Sequence, residues 1–323
     1  MRVTLGFDTS CYTTSAAAVS EHGEVLASSR MLLPVAQGQR GLRQSEAVFA
    51  HVRQMPQVMD GLMQQLSDKD IKIAAVCASA TPRDEQDSYM PVFTVGLGHA
   101  RVIANVLGVP LYETSHQQGH IAAGLVGHPK PNEAFVALHL SGGTTELLEC
   151  RDGKLALIGG CADLHAGQMV DRVGVAMGCP FPAGPSLEKL AMSYGGEVQN
   201  LLPVSMEKDG LTCHLSGVET RAQQWIREGK MTNEQIAAEV FDVLARTVAR
   251  LLTAGCEKAH AASALVVGGV ASSTLLRELL NKRIQKQRKP IRVLFGQPQY
   301  SADNAVGVAS IGMQKFLLEE SKC

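Results

Sequence analysis

Several things are scarce in this sequence, and each scarcity closes a possibility. Only 4% of the 323 residues are aromatic and Trp225 is the single tryptophan, which argues against stacking platforms for single-stranded nucleic acid. Neither sign of charge is in excess. The formal net charge is −1, so any nucleic-acid contact rests on a local patch or on a partner subunit rather than on a broad basic field. No apolar run reaches membrane-spanning length. The opening "MRVTLGFDTS" reads as a strand, because it lacks the apolar core and cleavage pattern of a signal peptide. These absences lead us to expect a cytoplasmic protein with no membrane partner. Cysteines stand at Cys11, Cys77, Cys150, Cys161, Cys179, Cys213, Cys256 and Cys323, and no two have CxxC spacing. Zinc-ribbon and thioredoxin-like readings therefore fail, and the thiols read as reduced, small and apolar. The dinucleotide fingerprint is missing too: "GLGHAR" from residue 96 has the wrong spacing and does not join a strand to a helix start.

What is present is a soluble globular composition, 45% hydrophobic and 19% charged, long enough for two domains. Residues 2–30 read as strand, polar turn "DTSCYTTS", strand, turn, strand. Residues 134–160 repeat that plan around "SGGTTE", which suggests an internal duplication with one meander opening each lobe. Between and after the meanders, helical spacing covers 45–66, 92–108, 162–178, 186–195 and 233–259. Buried-strand patterns cover 71–80, 264–267 and 291–297, and a terminal helix is expected from Ser301. The alternation makes this an α/β protein. Duplicated meanders followed by helices and strands match the two-lobed fold of actin, sugar kinases and Hsp70-like ATPases (the ASKHA fold). Lobe I would be 1–130, completed by 301–323, lobe II would be 131–300, and nucleotide and metal would sit in the cleft between them. The one basic run, "NKRIQKQRKPIR" at 281–292, reads as a solvated helix end or as an RNA-phosphate contact.

In that architecture the first hairpin of each lobe bends over nucleotide phosphates, which calls for small residues and free N–H groups. The first hairpin offers the hydroxyls of Thr9, Ser10, Thr13 and Thr14, with Asp8 beside them. The second offers Ser141, Gly142, Gly143, Thr144 and Thr145. An ordinary β-hairpin would use similar residues, but the repetition favours ligand binding. A third element, "VVGGVASS", runs a buried strand into Gly268 and Gly269 and then into a helix, which fits an adenosine pocket.

"TSHQQGHIAAGL" (114–125) places His116 and His120 four apart after a Thr-Ser pair suited to cap a helix. Two imidazoles on one face make half a metal site. Asp303, expected in the first turn of the terminal helix, is the candidate third ligand; its bland alternative is an acid favoured by the helix dipole. Two His and one carboxylate suit iron or zinc with open positions. A zinc-peptidase reading fails, because Gln117 stands where Glu is required.

"DTSC", "SHQQGHIAAG", "LSGGTTEL", "AGQMVDR" followed by "GCPFPAGPSLEKLA", "VVGGVASSTLLREL" and "SADNAVGVA" occur in this order. Together they resemble the TsaD/Gcp family of tRNA adenosine threonylcarbamoyltransferases, also described as glycoprotease-like, across essentially the whole chain. The resemblance implies metal ligation by His116, His120 and Asp303. It implies substrate contacts at Leu140, Ser141, Gly142, Gly143 and Thr144 and at Asp171 and Gly184, and adenosine binding at Gly268 and Gly269. It further implies transfer of threonylcarbamoyl from its adenylate to the exocyclic amine of the adenosine beside the tRNA anticodon. Apart from the resemblance, Asp8 is our candidate for steering that amine. One divalent metal and an adenine nucleotide (ATP, ADP or threonylcarbamoyl-adenylate) would be the ligands. A smaller family-related subunit and a partner ATPase would be the partners, in a homo- or heterodimeric setting. Several positions depart from the family pattern. Tyr12 and Thr13 replace an acidic pair, Thr144 a His, Arg172 a Lys and Ser273 an Asn that touches ligand. The polar stretch "TPRDEQDSYMPVF" replaces a Gly-Pro-Gly turn. Two rival readings follow: a nucleotide-binding regulatory paralogue, or a carbamoyltransferase or kinase with another acceptor.

Overall fold

A computed structural model describes residues 1–10, 12–34, 42–85, 87–129, 131 and 133–322. Cys11 in the first hairpin, Gln86 in the long polar loop and Cys323 lie outside the described residues. The chain divides into two units, Met1–Gly127 with Ala302–Cys323, and His128–Ser301.

The first unit opens with a meander of β1 (Arg2–Thr9), β2 (Thr13–Ser20) and β3 (Val25–Leu32). It continues with α1 (Gln44–Leu66), β4 (Lys72–Thr81), α2 (Phe93–Leu107), β5 (Leu111–Ser115) and α3 (His116–Gly124). The second unit opens with β6 (Phe135–Leu140), β7 (Thr145–Arg151) and β8 (Lys154–Cys161). Then come α4 (Ala166–Ala176), α5 (Gly184–Ser193), β9 (Ser205–Met206), β10 (Thr212–His214), α6 (Ser216–Glu228), α7 (Asn233–Lys258), β11 (Ser263–Val267), α8 (Thr274–Gln285) and β12 (Arg292–Phe295). The chain returns to the first unit with α9 (Val306–Glu320).

The first sheet has the order β3-β2-β1-β4-β5 and the second β12-β11-β6-β7-β8-β10-β9. Without the short β10-β9 extension, the two orders are the same. In each, the meander strands pair antiparallel, and the first strand pairs parallel with the strand that follows a helix. The duplication is therefore a property of strand order as well as of hydropathy.

Strand alternation and helix periodicity build the two cores. In the first unit Leu5, Phe7 and Ala16 from the sheet meet Met55, Val58 and Leu62 of α1. In the second, α7 is buried on nearly every side and packs against α5 and α8. A helix so enclosed must pair its polar groups, since an unmet buried one costs about 1–3 kcal/mol. Glu239 accepts the N–H groups of Gln199 (2.7 Å) and Leu201 (2.8 Å). Asp242 takes Arg246 (2.8 Å) and Arg283.

Several boundaries differ from the sequence expectation. The terminal helix begins at Val306 rather than Ser301, because Asn304 Oδ1 accepts the Val306 N–H (3.0 Å) and ends the preceding turn. Asp303 thus precedes the helix instead of lying in its first turn. Helix α4 begins at Ala166 rather than residue 162, since Asp163 is engaged by the Leu215 N–H (2.9 Å) and the Ser216 hydroxyl at the start of α6. Elements β9, β10 and α6 had no sequence expectation; α6 buries only Val218 and Ala222, too sparse a stripe to read.

Candidate metal centre and ligand hairpins

Helix α3 starts with a reciprocal cap. Ser115 Oγ accepts the Gln118 N–H (3.1 Å) and the Gln118 side chain reaches back toward the Ser115 N–H. This fixes the first turn, from which His116 and His120 project one above the other. Asp303 joins them because α3 and α9 touch backbone to backbone. A Cβ on Gly307 would lie 1.8 Å from Gly119 O, so only glycine permits the approach. Gly119 itself stands between the two histidines.

The three donor atoms converge. His116 Nε2 and His120 Nε2 are 3.1 Å apart, and Asp303 Oδ1 lies 3.1 Å from His120 Nε2 and 3.7 Å from His116 Nε2. Two nitrogens facing each other at this range beside a carboxylate need a cation or a proton between them. Tetrahedral ligands about 2.0–2.1 Å from a zinc ion would stand about 3.3 Å apart, so the donor set fits a divalent metal. Among the described residues this is the one cluster of His, Cys, Asp and Glu donors close enough to hold an ion.

Two of the three candidate ligands, His116 and Asp303, are themselves held from outside the triad. His116 Nδ1–H donates to Asp8 Oδ1 (2.9 Å), which leaves Nε2 as the free donor. The Ser79 hydroxyl also donates to Asp8 Oδ1. Ser10 Oγ donates to Asp303 Oδ2 (2.6 Å), turning Oδ1 toward the imidazoles. Behind Ser10, buried His51 of α1 donates Nε2–H to the Ser10 carbonyl (2.8 Å), and its Nδ1 meets Thr14 Oγ1 (2.8 Å). Burial keeps His51 neutral by pulling its pKa down. In the metal-free site burial alone would depress His116, but the charge and hydrogen bond of Asp8, with Asp303 behind, outweigh it and lift the imidazole to about 9. Burial raises Asp303, yet the His120 contact and the neighbouring imidazoles hold its carboxylate well below the usual range. The long polar loop is fastened to the same helix: the Gln117 N–H donates to Pro82 O (3.1 Å) and Gln118 Nε2 to Asp84 Oδ2 (2.9 Å).

Two expectations about the first hairpin need correcting. Asp8 is fully buried, its Oδ1 takes both His116 and Ser79, and its Oδ2 has no hydrogen-bond partner among the described residues, so it is placed to orient the candidate ligand His116 and presents no exposed face for steering an amine. The Thr9 hydroxyl is also fully buried, donating to Val92 O (2.9 Å) and accepting the Gly96 N–H (3.1 Å). It locks α2 and is not available to a phosphate. Ser10 acts on Asp303, and Thr13 is buried.

The second hairpin, in the other unit, is open. Ser141 N–H donates to Thr144 O (2.8 Å) to close the turn. Gly142 and Gly143 are exposed, with nothing within 4 Å of where a Cβ would be. Thr145 Oγ1 accepts the Ala166 N–H (2.8 Å), and Ser141 O accepts the Gly167 N–H (3.1 Å), so the start of α4 props the turn. A Cβ on Gly167 would come within 2.7 Å of Gly142 backbone. Further along α4, Asp171 Oδ1 accepts the Ala183 N–H (2.8 Å), which brings it beside Gly184 at the start of α5. Gly268 has φ +101° and lies against Leu140 O, while Gly269 faces open space. Ser273 Oγ accepts the Leu276 N–H (3.1 Å) as the cap of α8. Arg172 and Tyr12 are exposed. Missed from sequence were Ser79, His51 and Gln118; only the helical placement of His51 on a buried stripe hinted at its role.

A family model described as TsaD, tRNA N6-adenosine threonylcarbamoyltransferase, matches residues 32–310. The chain belongs to the TsaD family. A tRNA N6-adenosine threonylcarbamoyltransferase of Clostridium perfringens is 29% identical over 325 residues, covering 98% of this chain and 93% of that protein. Among solved structures, component A of (R)-2-hydroxyglutaryl-CoA dehydratase from Acidaminococcus fermentans aligns with a TM-score of 0.56 at 14% identity. It covers 98% of this chain and all, 100%, of that one. A ROK family glucokinase from Streptomyces griseus, solved with glucose and AMPPNP, aligns at 0.55 with 15% identity, covering 97% and 99%. The fold of this TsaD-family chain is thus the actin-like ATPase class expected from its meanders. No helix among its described residues is long and apolar enough to cross a membrane.

Proposed function

We propose that this chain transfers a threonylcarbamoyl group from threonylcarbamoyl-adenylate to the exocyclic amine of the adenosine beside the anticodon of tRNA. The observation that carries the reading is the convergence of His116, His120 and Asp303 in a TsaD-family chain. The amine nitrogen attacks the carbamoyl carbon. As the N–C bond forms, the C–O bond to the phosphate breaks, AMP leaves, and the amine proton passes to solvent.

His116, His120 and Asp303 would hold one divalent metal, iron or zinc, which as a Lewis acid supplies charge for the oxygens of the donor. Asp8 keeps His116 in the Nδ1–H tautomer. Ser10 aims Asp303. The exposed backbone of Gly142 and Gly143, whose second N–H rests on Ser141 Oγ (3.3 Å), would with Leu140, Ser141 and Thr144 around it hold the adenylate phosphate and ease its departure. Gly268 and Gly269 would admit the adenosine, and Asp171 with Gly184 would contact the ribose or threonyl part. A smaller related subunit and a partner ATPase in the cytoplasm complete the proposal.

One observation favours a second reading, a regulatory nucleotide-binding paralogue. Ser273 caps α8 and Thr13 is buried, so two of the changed positions serve folding. The test is transfer itself. Metal-loaded protein, threonylcarbamoyl-adenylate, unmodified tRNA and partner subunits are mixed, and the digested tRNA is examined by mass spectrometry beside an active family enzyme. The expected result is threonylcarbamoyladenosine. Its absence, with control active and metal bound, would favour the regulatory reading or another acceptor.

A further inference from the structure

The basic run at 281–292 plays no part in the chemistry above. Lys282, Lys286, Arg288, Lys289 and Arg292 are all exposed. None has a carboxylate within ion-pairing distance among the described residues. Arg283 differs, since it pairs with buried Asp242 and anchors the helix. Cations in the last turn of α8 complement the helix dipole, but Arg288, Lys289 and Arg292 lie beyond that turn, so the dipole does not account for the cluster.

Helix α8 joins this surface to the Gly268–Gly269 loop, and it is held at both ends. At its start, Ser273 caps it and Glu188 Oε1 accepts the Leu275 N–H (2.8 Å). Arg277 ties its first turns to Ala271 O (2.6 Å) and Gly296 O (2.7 Å). At its end, Gln287 Nε2 donates to Thr253 Oγ1 of α7 (2.9 Å). Twelve residues at 1.5 Å each give a rigid spacer of about 18 Å.

We propose that α8 is a spacer between the loop that admits the adenylate and an RNA backbone, with Lys282, Lys286, Arg288, Lys289 and Arg292 holding phosphates of the tRNA whose target base is presented to that adenylate. A base in a single-stranded loop is read by its edges and face, while the flanking stem is held through phosphates. Isolated cations at a fixed distance suit the second task. The identity of the RNA rests on the transferase reading; the phosphate contact does not.

The experiment is fluorescence anisotropy of the full chain with a labelled, unmodified tRNA transcript from 50 to 200 mM KCl. The K282E/K286E/K289E variant leaves Arg283 in place and is checked for an unchanged melting temperature. Binding should weaken by about tenfold or more, and the slope of log affinity against log salt should flatten by about 2, near 0.7–0.9 per lost phosphate contact. Reversing Lys69 and Lys72, exposed in the other unit, should leave both quantities unchanged. An unaltered slope in the α8 variant, equal loss in the control, or tighter binding of polyglutamate than of tRNA would overturn the proposal, the last pointing to an acidic protein partner. The assay reads binding without transfer. Loss of RNA binding in the variant of a chain that makes no product would sink the transferase reading alone. Normal transfer with an unchanged KM for tRNA in the variant would sink the spacer alone.

Discussion

The two meander hairpins are the same device put to opposite uses. In each, the N–H of the first turn residue donates to the carbonyl three residues on, Ser10 to Thr13 and Ser141 to Thr144. In each, the carbonyl of that serine accepts a proton from a helix, from His51 of α1 in one and the Gly167 N–H of α4 in the other. A threonine follows each turn, Thr14 or Thr145, and its hydroxyl meets the same helix. In the first hairpin Asp8, Thr9, Ser10 and Thr13 are nonetheless buried, and only Tyr12 among the described turn residues is exposed. The second ends in exposed glycines with open space where their Cβ atoms would be. In the proposed reading one copy frames the candidate metal ligands, whereas the other leaves its glycines exposed to an anion. Equivalent geometry does not make equivalent sites; what matters is whether the polar groups at the bend already have partners.

This contrast can be broken from either side. The largest effect is expected from Asp303→Ala, which removes a ligand and should abolish both bound metal and transfer. Metal analysis after gel filtration checks it, and retained stoichiometric metal would dismiss the triad. Next comes Asp8→Asn in the first hairpin. Partners that orient a ligating histidine are worth about 10–100-fold in metal affinity, so chelator competition should show a loss in that range with little change in nucleotide binding. The second hairpin should respond in the opposite sense. Gly167→Ala drives a methyl into the turn and should cost about 1–3 kcal/mol by overpacking, read by denaturant unfolding. It should also weaken nucleotide binding while metal affinity stays constant.

A smaller, pH-dependent effect should appear in metal-free protein. His116 is lifted from 6.5 to about 9, so its contribution to stability is complete below pH 6.5 and fades as pH rises through about 9. The melting temperature in chelator should fall across that window, and Asp8→Asn should flatten the fall. The smallest effect is expected from Gly142→Ala. With open space at its Cβ it should move stability by no more than about 0.5 kcal/mol, and any rise in KM for the adenylate would then report on the phosphate itself.

Much of this was legible in the sequence because hydropathy records which side of a strand or helix is covered. The meanders, α1, α2, α7 and the two-histidine face of α3 all followed from periodicity and capping residues. Asp303 was legible as a candidate only because carboxylates suit such a pair. What brings it there is the glycine contact between α3 and α9, and a close approach leaves no periodic trace. The fates of Asp8, Thr9 and Ser273 were not legible either. Aspartate, threonine and serine at a turn look alike whether they face a ligand or a backbone N–H, and only the partner in space separates the two. The sparse α6 and the two-residue β9 carried too few apolar positions to register.

The first unit is written in two instalments, with the whole of the second unit between them. During synthesis, the histidine pair emerges early and waits for a carboxylate that appears only after residue 301. A nascent chain can therefore complete the second unit while the first has neither α9 nor its third ligand. In the proposed reading metal capture would mark the arrival of residues 302–322, and a chain interrupted before them would carry a finished second unit and an incomplete pair of histidines.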